Sequence, residues 1–305
     1  MEYEDNKIRY YEEIKQEFIN NEINRKVKNY SINKSDLETY YNVGKMLIDA
    51  QGGESRAKYG DNLIKEYSRR LTNELGKGYS ERNLKNMRKF YLFQKGQPLA
   101  AKSINWTHYT ILLSLKNIDE IYYYIGQITN RNLSKRQLQD AIKAKEYERL
   151  PESTKNKLIN KEDISIEDSI KNPIIIRNNS NEIISEKVLQ KLILEDIIGF
   201  MNELGVGYSF VGNEYKIKIG NSYNYIDLIF FNVNFNCYIV VELKITELRK
   251  EHIGQIEVYM NYIDNNLKSI NHDKTIGIII CRKDNKFIME YCSDKRILSR
   301  NYKII

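Results

Sequence analysis

Two apolar runs, 225–231 and 237–244, stand either side of a turn punctuated by Asn232, Asn234 and Asn236. Both are dense in β-branched and aromatic residues, which predicts a β-hairpin. Three charges lie inside this apolar pair: Asp227, Glu242 and Lys244. Strand side chains alternate, so Val240, Glu242 and Lys244 share one face, while Ile239, Val241 and Leu243 share the other. A strand flanked on both sides does not bury charges unless they are paired or hold a metal. That face is the candidate active site, and the rest of the chain is read around it.

The chain has 305 residues, enough for a sizeable core and for two domains. No apolar run reaches membrane-spanning length, and the charged N-terminus lacks a signal-peptide pattern. Cys237, Cys281 and Cys292 have no ligand spacing and fall in or near strand-like segments, as reduced buried thiols do, so a cytoplasmic location is expected. His108, His252 and His272 form no paired motif, which argues against a histidine-built zinc site. The net charge of +7 is unevenly placed, with 27 Lys/Arg against 20 Asp/Glu in residues 1–150 and 21 against 21 in 151–305. A basic half joined to a neutral half suggests that the first meets a polyanion.

The first half reads as all helical. A charged helix is expected over 8–29. Ser35-Asp36-Leu37-Glu38 looks like a capping box that opens a second helix, stopped by Gly52-Gly53. A third helix is expected over 60–75. Ser80 is the expected N-cap of a fourth, which holds Leu84, Met87, Phe90 and Tyr91 inward. Two short helices follow over 106–115 and 118–128, and Ser134-Lys135-Arg136-Gln137 caps a last one running to about Leu150. Between Lys77 and Lys102 there are seven basic residues and one acid, Glu81. Lys77, Arg82, Lys85, Arg88 and Lys89 are the candidate nucleic-acid contacts, with Arg82, Lys85 and Lys89 at spacing that lines one helix face. A merely solvated face is the other reading, and the charge asymmetry favours DNA.

Residues 151–181 read as a linker, bracketed by Pro151 and Pro173 and closed by an asparagine-rich stretch. Its Ile174-Ile175-Ile176 run is either a short strand or a docking segment. An amphipathic helix begins at Glu182, carries Glu195 and ends at Gly205. Strands are expected over 208–219, 223–232 and 237–245, followed by a helix over 249–266, an apolar strand over 275–281 and an edge strand over 286–292. The division is thus 1–150, 151–181 and 182–305. The fold class is α/β (α+β), with an all-helical domain before a mixed sheet flanked by helices.

This order of elements, with an acid on the second strand and Glu-x-Lys on the third, resembles the PD-(D/E)XK nuclease fold. Asp227 precedes Glu242 by 15 positions. Glu195 on the preceding helix and Gln255 with Tyr259 on the following one are further hallmarks of one branch of that fold. Wider phrasing resembles the bacterial YhcG-type family: Glu203-Leu204-Gly205, Phe210-Val211-Gly212, Tyr225-Ile226-Asp227-Leu228, Glu242-Leu243-Lys244 and Gly254-Gln255. In the helical half, Tyr59-Gly60, Gly76-Lys77-Gly78-Tyr79-Ser80, Arg82-Asn83-Leu84, Met87-Arg88 and Trp106-Thr107-His108-Tyr109 match as well. The fold's usual proline is replaced by Ile226.

The resemblance implies phosphodiester hydrolysis, which needs a hard cation to polarise the phosphoryl oxygen and acidify water. Mg²⁺, or Mn²⁺ in its place, takes oxygen ligands and only one or two carboxylates. Asp227 and Glu242 would supply these, with the backbone carbonyl of Leu243 as a third ligand. Lys244 would position or deprotonate the attacking water, or hold charge developing on the phosphate. Glu195 would bind a second metal or its water. Gln255 and Tyr259, one turn apart, would orient Lys244 or hold a phosphate. The expected partner is duplex or branched DNA, with no membrane and with self-association left open. The alternative function is a DNA-binding or scaffold protein that keeps the nuclease fold without turnover.

Overall fold

The computed structural model describes residues 2–27, 32–53, 61–96, 104–178 and 183–305. Tyr59-Gly60, Lys102 and the expected helix start at Glu182 lie outside them. The chain divides into two compact units, Met1–Lys143 and Ala144–Ile305.

The first unit contains helices α1 (Glu2–Val27), α2 (Ile32–Ala50), α3 (Asp61–Leu75), α4 (Glu81–Gln94), α5 (Trp106–Leu112), α6 (Ile118–Arg131) and α7 (Lys135–Lys143). One core joins the first four, with Tyr11 and Ile14 of α1, Val43 and Leu47 of α2, Ile64 and Tyr67 of α3, and Leu84 and Met87 of α4. Helices α2 and α4 cross closely because Gly44 has no side chain: a Cβ there would sit 2.2 Å from the Met87 carbonyl oxygen. Ser80 caps α4 by accepting from the Asn83 amide at 3.3 Å. The box at Ser134 also forms, with Gln137 Oε1 accepting from the Ser134 amide and Ser134 Oγ from the Gln137 amide. Ser35 does not open α2, which already begins at Ile32. Helix α7 stops at Lys143 rather than Leu150, since the chain turns through Lys145 at φ 55°.

The second unit runs α8 (Glu152–Asn160), α9 (Ile166–Ser169), β1 (Ile174–Ile176), α10 (Glu186–Glu195), α11 (Ile197–Leu204), β2 (Tyr208–Ile219), β3 (Ser222–Asn232), β4 (Cys237–Glu247), α12 (Lys250–Asn266), β5 (Ile276–Lys283), α13 (Lys286–Glu290) and β6 (Ile297–Ile304). Its six-stranded sheet has the order β1-β6-β5-β4-β3-β2. Strands β2, β3 and β4 are antiparallel in turn, while β4, β5, β6 and β1 are parallel. The faces of β4 alternate as expected. Ile239, Val241 and Leu243 pack in one core with Leu189, Ile193 and Phe200, and Val240 packs in the other with Ile256 and Met260 of α12. All three cysteines are buried and free.

Three expectations for the second unit need correction. Residues 151–181 are not a linker. They hold two helices and β1, whose Ile174 pairs in parallel with Tyr302, and Ile166 and Ile170 are buried in the sheet core. A buried ion pair anchors the stretch: Arg149 forks onto Glu203, with Nη2 3.0 Å from Oε1, and Glu203 also accepts from the Ile175 amide at 2.9 Å. Second, 286–292 is not an edge strand. Asn285 caps α13 by accepting from the Ile288 amide, and Phe287 and Tyr291 are exposed, so the run buries too little to be held in a sheet. The strand beside β5 is β6. Third, the helix carrying Glu195 breaks at Asp196, whose Oδ1 caps α11 by accepting from the Gly199 amide at 3.0 Å.

Candidate active site at the fork of β3 and β4

The β3–β4 ladder runs from Asn232↔Cys237 to Leu228↔Val241. At the next position the strands part, β3 continuing with β2 and β4 continuing with β5. Asp227 and Glu242 stand at that fork. Each carboxylate reaches the other strand's backbone: Asp227 Oδ2 accepts from the Leu243 amide at 2.8 Å, and Glu242 Oε1 from the Asp227 amide at 3.5 Å. A strand residue directs its N–H and C=O to the same side, so the Leu243 carbonyl belongs to the same gap as its amide. Lys244 Nζ donates to Glu242 Oε2 at 3.2 Å. Asp227, Glu242, Leu243 and Lys244 are therefore brought together.

The electrostatics explain what such a cluster lacks. Glu242 is 1% exposed. Burial, then the neighbouring Asp227, pushes its carboxyl above the usual range, and burial does the same to Asp227 despite the Leu243 amide. Two desolvated carboxylates at one place resist ionising together unless positive charge arrives. Lys244 supplies some of it. Burial disfavours its ammonium, but Glu242, Glu186 and Asp227 outweigh this and raise its pKa. Among the described residues no group of three or more His, Cys, Asp or Glu is arranged to hold a metal. The pair nevertheless fits Mg²⁺, which needs one or two carboxylates and completes its shell with carbonyl oxygen and water.

On α12, Gln255 Nε2 donates to the Tyr259 hydroxyl at 3.0 Å. Tyr259 is buried in the α12 core, and burial raises its pKa, with Glu242, Lys244 and Asp227 all in electrostatic reach. The Gln255–Tyr259 pair thus borders the cluster from the α12 side. His252 is a half-buried capping residue whose Nδ1 accepts from the Arg249 amide at 3.2 Å; burial and the Lys244 charge lower its pKa.

Glu195 is not brought to this place. It is the exposed last residue of α10. The acid of α10 beside the cluster is Glu186, whose Oε2 lies 4.0 Å from Lys244 Nζ. At the helical rise, nine residues put Glu195 roughly 13 Å further along. Buried Gln190 joins from the same helix, donating from Nε2 to the Asp227 carbonyl at 2.9 Å. Neither Glu186 nor Gln190 was singled out from sequence. The available signal was Ser185, an N-cap that accepts from the Val188 amide and puts Glu186 in the first turn.

On α4, Arg82 and Lys89 are exposed, as is Lys77 just before it. Lys85 pairs with Glu81 at 2.8 Å, and Arg88 donates to Gln51 Oε1 at 3.2 Å. The basic run is thus not uniformly directed to solvent.

Comparison with known proteins bears on both units. A family model described as a YhcG PDDEXK nuclease domain matches residues 167–304, beginning inside the stretch first read as linker, and a DUF1016 N-terminal domain model matches residues 13–149. The Escherichia coli (strain K12) protein "Putative nuclease YhcG" is 28% identical over 291 residues, spanning 82% of this chain and 78% of that protein. Among solved structures, a repair endonuclease from Pyrococcus abyssi is 16% identical over 40% of this chain, with TM-score 0.28. An EndoMS-dsDNA2 complex is 17% identical over 41%, with TM-score 0.29. The match spans 48% of each of those two structures. The chain therefore carries a DUF1016 N-terminal domain followed by a YhcG PDDEXK nuclease domain.

Proposed function

We propose that the protein is a metal-dependent nuclease that hydrolyses phosphodiester bonds in DNA, with its helical unit binding the nucleic acid. The observation that carries this is the meeting of Asp227, Glu242 and Lys244 at the strand fork. Mg²⁺, or Mn²⁺ in its place, would polarise the phosphoryl oxygen and acidify a water. Asp227, Glu242 and the Leu243 carbonyl are its proposed ligands. The Leu243 amide holds the Asp227 carboxylate in place. Lys244, whose ammonium donates to Glu242 Oε2 at 3.2 Å, would position or deprotonate the attacking water or steady charge on the reacting phosphate. Glu186 lies 4.0 Å from that ammonium, and Gln255 with Tyr259 bounds the site on the α12 side. Lys77, Arg82 and Lys89 are the proposed phosphate contacts of the helical unit, with Lys85 and Arg88 secondary because each has a partner in the fold.

The test is a panel of labelled duplex, branched and single-stranded DNA with Mg²⁺ or Mn²⁺, comparing wild type, Asp227→Ala and Lys244→Ala. Cleavage by wild type and its loss in Asp227→Ala are expected. Lys244→Ala should slow cleavage by about 10²–10³-fold with DNA affinity nearly intact, since only transition-state contacts are removed. No cleavage of any substrate by wild type, with either metal, would leave a DNA-binding protein without turnover.

A further inference from the structure

The β2–β3 hairpin carries a surface that packing does not account for. Its register sets Lys216 opposite Tyr225 and Lys218 opposite Tyr223. Opposed residues project to one face, and positions two apart on a strand share it, so these four side chains lie together. On the other face Ile217 and Ile226 are buried in the α12 core. Tyr223 and Tyr225 are 57% and 52% exposed, and Lys216 Nζ lies 3.9 Å from the Tyr223 ring centroid. Residues 215–225 contain two lysines and no acid. Strand β2 ends the sheet, and among the described residues no further strand lies beyond the hairpin.

We infer that this face holds an unpaired stretch of DNA, with bases stacked on Tyr223 and Tyr225 and phosphates against Lys216 and Lys218. The inference rests on the nuclease function proposed above and narrows its substrate to DNA with a single-stranded segment beside the scissile bond. Aromatic rings alternating with cations are how proteins hold single strands, because every base has a face to stack while the backbone stays charged. The two tyrosines are about 6.7 Å apart along the strand, room for successive splayed bases. A closed duplex hides its base faces and offers these rings nothing to stack on. Tyr225 is two residues from Asp227 on β3, so a strand held here leads to the carboxylates. A second copy is the competing occupant, but two identical faces of this charge repel.

The test measures binding by full-length protein in chelator, so that hydrolysis plays no part, using a labelled oligothymidylate and a blunt duplex of equal length. The Tyr223→Ala/Tyr225→Ala variant should bind the oligothymidylate at least about tenfold more weakly, since each stacked base contributes about 5- to 150-fold. The Tyr223→Phe/Tyr225→Phe variant should retain it, and duplex affinity should change less than about twofold. Replacing Lys216 and Lys218 with Ala should reduce the single-strand salt slope by about 1.4. The inference is overturned if the alanine pair, with a native circular dichroism spectrum, binds oligothymidylate unchanged, or if both DNAs weaken equally. It is overturned also if sedimentation shows a wild-type dimer that the variant dissociates with DNA affinity unchanged. Binding in chelator needs no turnover, so failure of the cleavage test and failure of this one are separate results.

Discussion

At the scale of single residues, the candidate site shows two acids on one helix with different fates. Glu186 and Glu195 open and close α10, yet only Glu186 lies near Lys244. Sequence spacing pointed to Glu195 because an acid late in the preceding helix suits the resemblance. The structure reverses the choice because the helix turns at Asp196 and its first turn, not its last, meets the fork. Glu186→Ala is therefore expected to lower the cleavage rate about tenfold, by loosening the Lys244 ammonium, while leaving DNA affinity unchanged. Glu195→Ala should match wild type in single-turnover assays. Equal loss in both variants would remove Glu186 from the site.

Among the elements, α4 is expected from its spacing to set Arg82, Lys85 and Lys89 on one outward face, and the fold divides its cations. Arg82 and Lys89 stay exposed, while Lys85 bridges to Glu81 and Arg88 donates to Gln51. An exposed cation adjusts to phosphate freely, whereas one held by the fold must give up its partner first. Replacing Arg82 and Lys89 together by Ala should lower the duplex salt slope by about 1.8, the value for two lost phosphate contacts. Lys85→Ala alone should change it by less. Anisotropy titrations across a salt series would check this, and an unchanged slope in the double variant would make α4 a solvated face.

Over the whole molecule, the second unit begins at Ala144 rather than at the boundary near 182 suggested by composition. A fragment of residues 144–305 retains β1 and the Arg149–Glu203 pair, and it should unfold cooperatively in urea. A fragment of residues 182–305 strips Glu203 of its guanidinium and uncovers one edge of β6. It also loses Ile166, Ile170, Ile174 and Ile176 from the sheet core, and each fully buried side chain of this kind contributes about 1.5–3 kcal/mol, a large share of a domain's stability. That fragment should melt far earlier or aggregate. Equal urea midpoints for the two would show that 144–181 is dispensable.

By itself the sequence determined the helical first half, the β2–β3–β4–α12–β5 order and the Asp227, Glu242, Lys244 triplet. These are written in local periodicity: 3.6 for the helices, two for the strands, and charges that break an apolar run. Tertiary structure alone decided the rest. Residues 151–181 look like linker because their partners are distant, with Ile174 finding Tyr302 and Arg149 finding Glu203. Segment 286–292 looks like strand because its composition is mixed, and only the arrival of β6 beside β5 leaves it outside the sheet. Glu186 and Gln190 reach Asp227 and Lys244 through the packing of α10 on the sheet, which no window of neighbouring residues contains.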